Sequence, residues 1–227
     1  MKIYLILILC VVYFNLFGLS NDDKYNFGFK AGLNANFLAE NIKINGIYTT
    51  YDYFKGSFFG GWFVQYDLDF SDFILQFEFN LNQKGLYKEA EITENIICRE
   101  TQTFYYLEIP LIISYKVTNN LSLYGGGYYA FLLTHNIYIY EVDTKGNIET
   151  VEIAGNDYYE NFNKNSFGYI LGLNYIYKNI IFDLRFNQNL NSFVKTKPVS
   201  DNELINNGTW DKNYKIYQLQ LSGGLIF

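Results

Sequence analysis

Apolar and polar residues alternate in eight separate stretches of this chain. The clearest is FILQFEFNLNQ, Phe73 to Gln83, with Phe73, Leu75, Phe77, Phe79 and Leu81 at odd positions and Gln76, Glu78, Asn80 and Asn82 at even ones. Successive side chains of a strand point to opposite faces, so this period of two predicts a strand with one oily and one polar face. The same pattern recurs at Phe27 to Phe37, Phe58 to Leu68, Thr103 to Lys116 and Leu121 to Thr134. It returns at Ser166 to Lys178, Ile180 to Leu190 and Tyr217 to Phe227, while the opening stretch extends to about Tyr87. No heptad run, proline-rich linker or exact repeat interrupts the series.

The connections alternate in length. Residues 69–72, 117–120 and 179 are short links, whereas 38–57, 88–102, 135–165 and 191–216 are long. An even number of strands, short turns at one end and long loops at the other is the plan of a membrane-spanning barrel. The expected fold is all-β: an eight-stranded antiparallel up-and-down transmembrane β-barrel.

Which face meets lipid follows from the two registers. One collects Phe29, Leu33, Trp62, Val64, Leu107, Leu111, Leu171, Phe182 and Leu221, with no charged residue along it. The other holds Lys30, Asp67, Glu78, Glu108, Lys116, Asp183 and Arg185, together with Gly28, Gly32, Gly61, Gly126, Gly168, Gly172 and Ser222. An eight-stranded barrel is only wide enough inside for modest side chains, so the aromatic-rich register belongs outside. Aromatics also gather at both ends of the oily register. Phe37, Phe58, Tyr105, Phe131, Phe167 and Tyr217 lie towards the long loops, and Phe27, Tyr66, Phe73, Tyr115, Tyr177 and Phe227 towards the short turns. Such paired girdles are expected at the two membrane interfaces. A soluble lipocalin-like barrel with the oily register inward is the alternative, and it accounts for neither the girdles nor the loop asymmetry.

Composition adds three points. Aromatics make up 20% of the 227 residues, with 23 Tyr and 21 Phe, which favours strands. A net charge of −6 excludes nucleic acid as a natural partner. At the N-terminus, Lys2 precedes an apolar run from Ile3 to Phe17, with small residues Gly18 and Ser20 behind it. This reads as a secretory signal peptide over residues 1–20, leaving residues 21–227 as the barrel domain. Cys10 leaves with the leader, so the mature chain keeps only Cys98 and can form no internal disulfide.

Candidate chemistry is sparse. Lys30, Glu78, Glu108, Asp183 and Arg185 form an expected interior polar cluster of structural kind, because buried charges need partners. Arg185 is expected to pair with Glu78 or Glu108. His135, the single histidine, has no serine or acidic residue at a matching spacing, so no catalytic residue is assigned. No metal site and no cofactor are expected. Pro110 removes one ladder hydrogen bond and suggests a bulge that shapes the barrel. The stretch Ile137 to Ile153 alternates on both sides of Lys145-Gly146-Asn147, predicting a hairpin that projects past the membrane. Asn207-Gly208-Thr209 matches a glycosylation sequon, for which a loop turn is sufficient explanation.

Several stretches together resemble a known family. FGFKAGLNANF, YLEIPLIISYK followed by LSLYGGGYYAFLL, GYILGLNYIYKNIIFDLRFNQNL and LQLSGGLIF are similar, in order, to the PorT-like outer-membrane β-barrels of diderm bacteria. The resemblance implies a barrel in the outer membrane lipid, inserted by the barrel assembly machinery. Tyr217, Leu219, Leu221, Leu225 and Phe227 are similar to the terminal signal that this machinery reads. Both termini are then expected in the periplasm and the long loops at the cell surface. The resulting expectation is a non-enzymatic barrel with a plugged interior and loops that mediate contact or binding, their ligand unnamed. A channel or secretion component and a lipid A-modifying enzyme are the alternatives.

Overall fold

The computed structural model describes residues 24–38, 43–44, 48–68, 72–93, 96–143, 148–152, 163–191 and 215–227. The expected leader and the Asn207 sequon lie outside the described residues. Among those described, the regular elements are strands: β1 (Tyr25–Leu38), β2 (Lys43–Ile44), β3 (Tyr48–Tyr53), β4 (Lys55–Asp67), β5 (Phe73–Thr93) and β6 (Ile96–Lys116). They continue as β7 (Leu121–Asp143), β8 (Ile148–Glu152), β9 (Asn165–Tyr177), β10 (Ile180–Asn189) and β11 (Ile216–Ile226).

Eight of them close a ring. The hydrogen-bonded order runs β1, β4, β5, β6, β7, β9, β10, β11 and back to β1, and every pairing is antiparallel. Closure removes both free sheet edges, which lipid cannot hydrate. The closing seam pairs Gly28–Leu38 of β1 with Ile226–Ile216 of β11, and the Phe227 amide adds a 2.7 Å bond to Phe27 O.

Two of the short links, between β6 and β7 and between β9 and β10, are tight turns, as the pattern anticipates. Thr118 Oγ1 accepts the amide hydrogens of Asn120 (3.3 Å) and Leu121 (3.0 Å), satisfying the turn between β6 and β7. Lys178 takes a φ of 55° where β9 reverses into β10.

Alternation sorts the side chains as read from sequence. Trp62, Phe77, Leu111, Leu171, Phe182 and Leu221 are exposed on the outer wall, while their strand neighbours Phe63, Glu78, Ile112, Ile170, Asp183 and Ser222 are buried. Rings meet across strands on the outer wall: Phe29 with Trp62 at 5.2 Å, Tyr25 with Tyr66 at 4.9 Å, and Phe73 with Tyr115 at 5.2 Å. Inside, missing side chains make room for large ones. A Cβ on Gly172 would lie 2.4 Å from the Tyr124 hydroxyl, and one on Gly168 would lie 2.6 Å from the Tyr128 ring. These glycines are sockets for interior tyrosines from the neighbouring strand.

Two of the long connections differ from expectation, and within a third the expected hairpin forms. The span 88–102 is not a loop, because β5 and β6 stay paired as far as Thr93 and Ile96. Residues such as Lys88, Glu89, Glu91, Arg99 and Glu100 place charges in both registers. Oily-polar contrast therefore ends there although the ladder continues. The span 135–165 likewise begins as strand: β7 runs on to Asp143 and β8 returns along it, with Tyr138 opposite Glu152 and Val142 opposite Ile148, the projecting hairpin. Part of the span 38–57 forms β3, which pairs with β5 at Thr50 to Tyr53.

Pro110 produces no bulge. Its partner on β7 is Tyr128, and on the β5 side the register is the same at Phe77–Leu111 and Asn80–Glu108. The barrel loses only the pairing between. The register shifts instead at Tyr105/Tyr106, where Leu133 of β7 is the extra residue.

Candidate functional site

The inward faces of β1, β5 and β10 place most of the candidate charges in one cluster. Glu78 is fully buried at 0% exposure. Arg185 grips it with two parallel bonds, Nη1 to Oε2 at 2.9 Å and Nη2 to Oε1 at 2.8 Å. Such a fork-on-fork pair is the strongest geometry available to this couple. Lys30 donates to Glu78 Oε1 at 2.6 Å and to Asp183 Oδ2 at 3.0 Å. Asn80 donates to Glu78 Oε2 at 2.7 Å, and Gln76 donates to Glu78 Oε1. Arg185 Nη2 also reaches Asp183 Oδ2 at 3.2 Å, while Tyr124 donates to Asp183 Oδ1 and accepts from Arg185 Nε at 3.0 Å. Two cations face two carboxylates, so the cluster sums to zero.

Glu108 is not part of it. A second neutral pair forms nearer the long-connection end, where Lys84 Nζ sits 2.7 Å from Glu108. Lys84, at 1% exposure, is the functional residue the sequence reading missed. Its ammonium lies 5.3 Å from the centre of the Tyr106 ring and 4.8 Å from that of Tyr128, positions that favour a desolvated cation. Tyr128 donates to Asn189 Oδ1 at 2.5 Å, and Asn189 donates to Ser166 Oγ at 2.8 Å. Beyond this pair, Leu86, Phe104, Leu132 and Ile216 are buried and belong to one apolar cluster inside the wall.

Chemically, both groups have their charges matched in opposite-sign pairs. Among the described residues no group of three or more His, Cys, Asp and Glu side chains is arranged to hold a metal ion. His135 lies four residues beyond the Phe131 position, stacked on Phe104 with ring centres 6.0 Å apart and planes at 12°. At the short-turn end, Lys116 and Asp67 form a half-exposed pair at 3.0 Å. Tyr217, Leu219, Leu221, Leu225 and Phe227 all lie on the outer face of β11.

A family model described as outer membrane protein beta-barrel domain matches residues 20–195, the portion from β1 through β10. Solved structures similar to the chain include Ail, the attachment invasion locus protein of Yersinia pestis, at 13% identity over 90% of this chain and 99% of that one, with a TM-score of 0.42. Neisserial surface protein A is 12% identical over 89% of this chain and 97% of that one, with a TM-score of 0.42. OprG from Pseudomonas aeruginosa is 11% identical over 90% and 96%, with a TM-score of 0.36. No curated protein matches the chain in sequence. The family model spans most of the closed, oil-outside barrel, and the chain belongs to the outer membrane protein beta-barrel domain family.

Proposed function

We propose that this protein is a non-conducting, non-enzymatic barrel whose wall carries a surface for contact at the cell exterior. The observation that carries the reading is the interior. Six of its charged side chains, Lys30, Glu78, Lys84, Glu108, Asp183 and Arg185, are buried and matched within two neutral groups, and nearer the long-connection end the half-buried Lys55 donates to Gln102 O and Thr103 Oγ1. Conduction would need these pairs to part in a barrel whose lumen is narrow enough for side chains to fill. The long-connection end carries the paired extensions of β5, β6 and β7 with β3 and β8, and this end faces outward in the proposed orientation. Both termini then lie in the periplasm. Within the family, the stretches quoted above support a PorT-like assignment, and the outer face of β11 serves as the signal for the barrel assembly machinery.

Two experiments test the reading. Purified barrel in planar bilayers is expected to give no steady conductance, and an ohmic current would move the reading to a channel. Cells displaying the protein are expected to attach to matrix-coated or cell-coated plates, and removal of residues 137–152 is expected to abolish attachment while heat-modifiable mobility survives. Undiminished attachment without that projection would contradict its role as the contact surface.

A further inference from the structure

Between the two charge clusters the lumen is lined by side-chain amides. Asn34, Asn36, Asn82, Asn187, Gln218 and Gln220 point inward from β1, β5, β10 and β11, each between 1% and 3% exposed. Their hydrogen bonds are unevenly shared. Gln218 Oε1 receives N–H groups from Asn82 at 3.0 Å, Asn187 at 3.2 Å and Gln220 at 2.9 Å, three donors for an oxygen with two lone pairs. Meanwhile Asn34 Oδ1, Asn187 Oδ1 and Gln220 Oε1 accept nothing from the protein.

Those three oxygens belong to one neighbourhood. Asn34 lies directly opposite Gln220 across the β1–β11 seam and donates to Asn82 at 2.8 Å. Asn187 lies opposite Gln218 on β10 and β11. Each is therefore one hydrogen bond away from the Asn82–Gln218 couple, whose own contact is 3.0 Å. The donors are also incompletely used, for Asn187 and Gln220 each commit a single N–H.

This mixture selects among guests. A cation would satisfy the oxygens and leave the amide hydrogens, and an anion would do the reverse. Either ion would also bring a net charge between two groups that are already neutral, where desolvation is costly. Water supplies two donors and two acceptors without charge, and buried water usually bridges polar groups of this kind. We propose that the amide layer around Gln218 is a binding site for a small internal cluster of water, held between the Glu78–Arg185 and Lys84–Glu108 groups. This site does not depend on the surface-contact reading, since it concerns only the lumen. The cluster relieves the overloaded Gln218 oxygen and solvates the three orphan acceptors, so the two ion clusters are linked through a hydrated layer.

Water-selective NMR on the whole barrel in lipid nanodiscs tests this, with asparagine and glutamine side chains labelled. The expected result is cross-peaks to long-lived water at the side-chain amides of Asn187 and Gln220, unchanged when sodium, potassium or chloride is raised. Gln220→Met should remove the cross-peak at Asn187 while the barrel keeps its heat-modifiable mobility. Absence of water cross-peaks in the unmodified protein would overturn the proposal, a result that needs no variant. Shifts of these amides on titration with potassium or chloride would overturn it equally, in favour of an ion.

Discussion

Arg185→Met is expected to destabilise the folded barrel by about 3–5 kcal/mol, because removing one member of a buried ion group leaves an uncompensated charge. Methionine keeps an apolar unbranched stem but lacks the guanidinium, so the loss combines the unpaired charge with a small cavity where the fork lay. Glu78 would lose both arms of its fork and keep Lys30, Asn80 and Gln76, while Lys30 alone would face Glu78 and Asp183. Urea unfolding in lipid vesicles, read by heat-modifiable gel mobility, measures the change. Glu78→Gln introduced into the Arg185→Met chain removes the excess negative charge and is expected to recover more than half of the loss. An Arg185→Met barrel that unfolds like the parent would show that the cluster does not hold the barrel together.

Phe77→Arg should cost about 2–4 kcal/mol, the range for a cation on the lipid face near the bilayer midplane. Phe77 is 38% exposed on the outer wall, opposite Val64 on β4 and Leu111 on β6, and its ring meets Phe79 at 4.9 Å. It lies near the middle of the stretch from Phe73 to Gln83, which matches the roughly 9–11 residues that a tilted strand uses to cross hydrocarbon. The penalty is depth-dependent, so the same substitution at Phe73, by the inner ring of aromatics, is expected to cost about 0–1 kcal/mol. Equal effects at the two positions, measured by unfolding in vesicles, would mean that depth in a membrane is not what the wall senses.

The wall was legible because lipid and lumen impose opposite demands on alternate residues. Phe73 to Gln83 shows this without any partner strand, since one face must be oily and the other must fit a narrow interior. The ends were less legible. Past Tyr87 and before Thr103 charged residues fall at both odd and even positions of the sequence, so the signal that marked the strands disappears while the hydrogen bonds of β5 and β6 persist. The members of the interior cluster were readable from their register, but their partners were not. Glu78 and Arg185 are 107 positions apart and meet only because the ring closes. Glu108 lies directly opposite Asn80, but its charge is met by Lys84, four residues further along β5 towards the long-connection end. Lys84 follows Gln83 where the alternation was already weakening, and no local feature distinguishes it from a solvated strand end. Leu86, Phe104, Leu132 and Ile216 also show that inward positions are not uniformly polar.

The side of the wall that meets lipid can be read from a single residue. Trp62 is 51% exposed on the outer face of β4, packed edge-on against Phe29. With Trp210 replaced by phenylalanine, it becomes the sole tryptophan of the chain. In vesicles containing lipids brominated along the acyl chain, its fluorescence is expected to be strongly quenched, while aqueous iodide leaves it unaffected. Quenching by iodide with no response to the brominated acyl chains would contradict a wall that turns its oily face to the membrane.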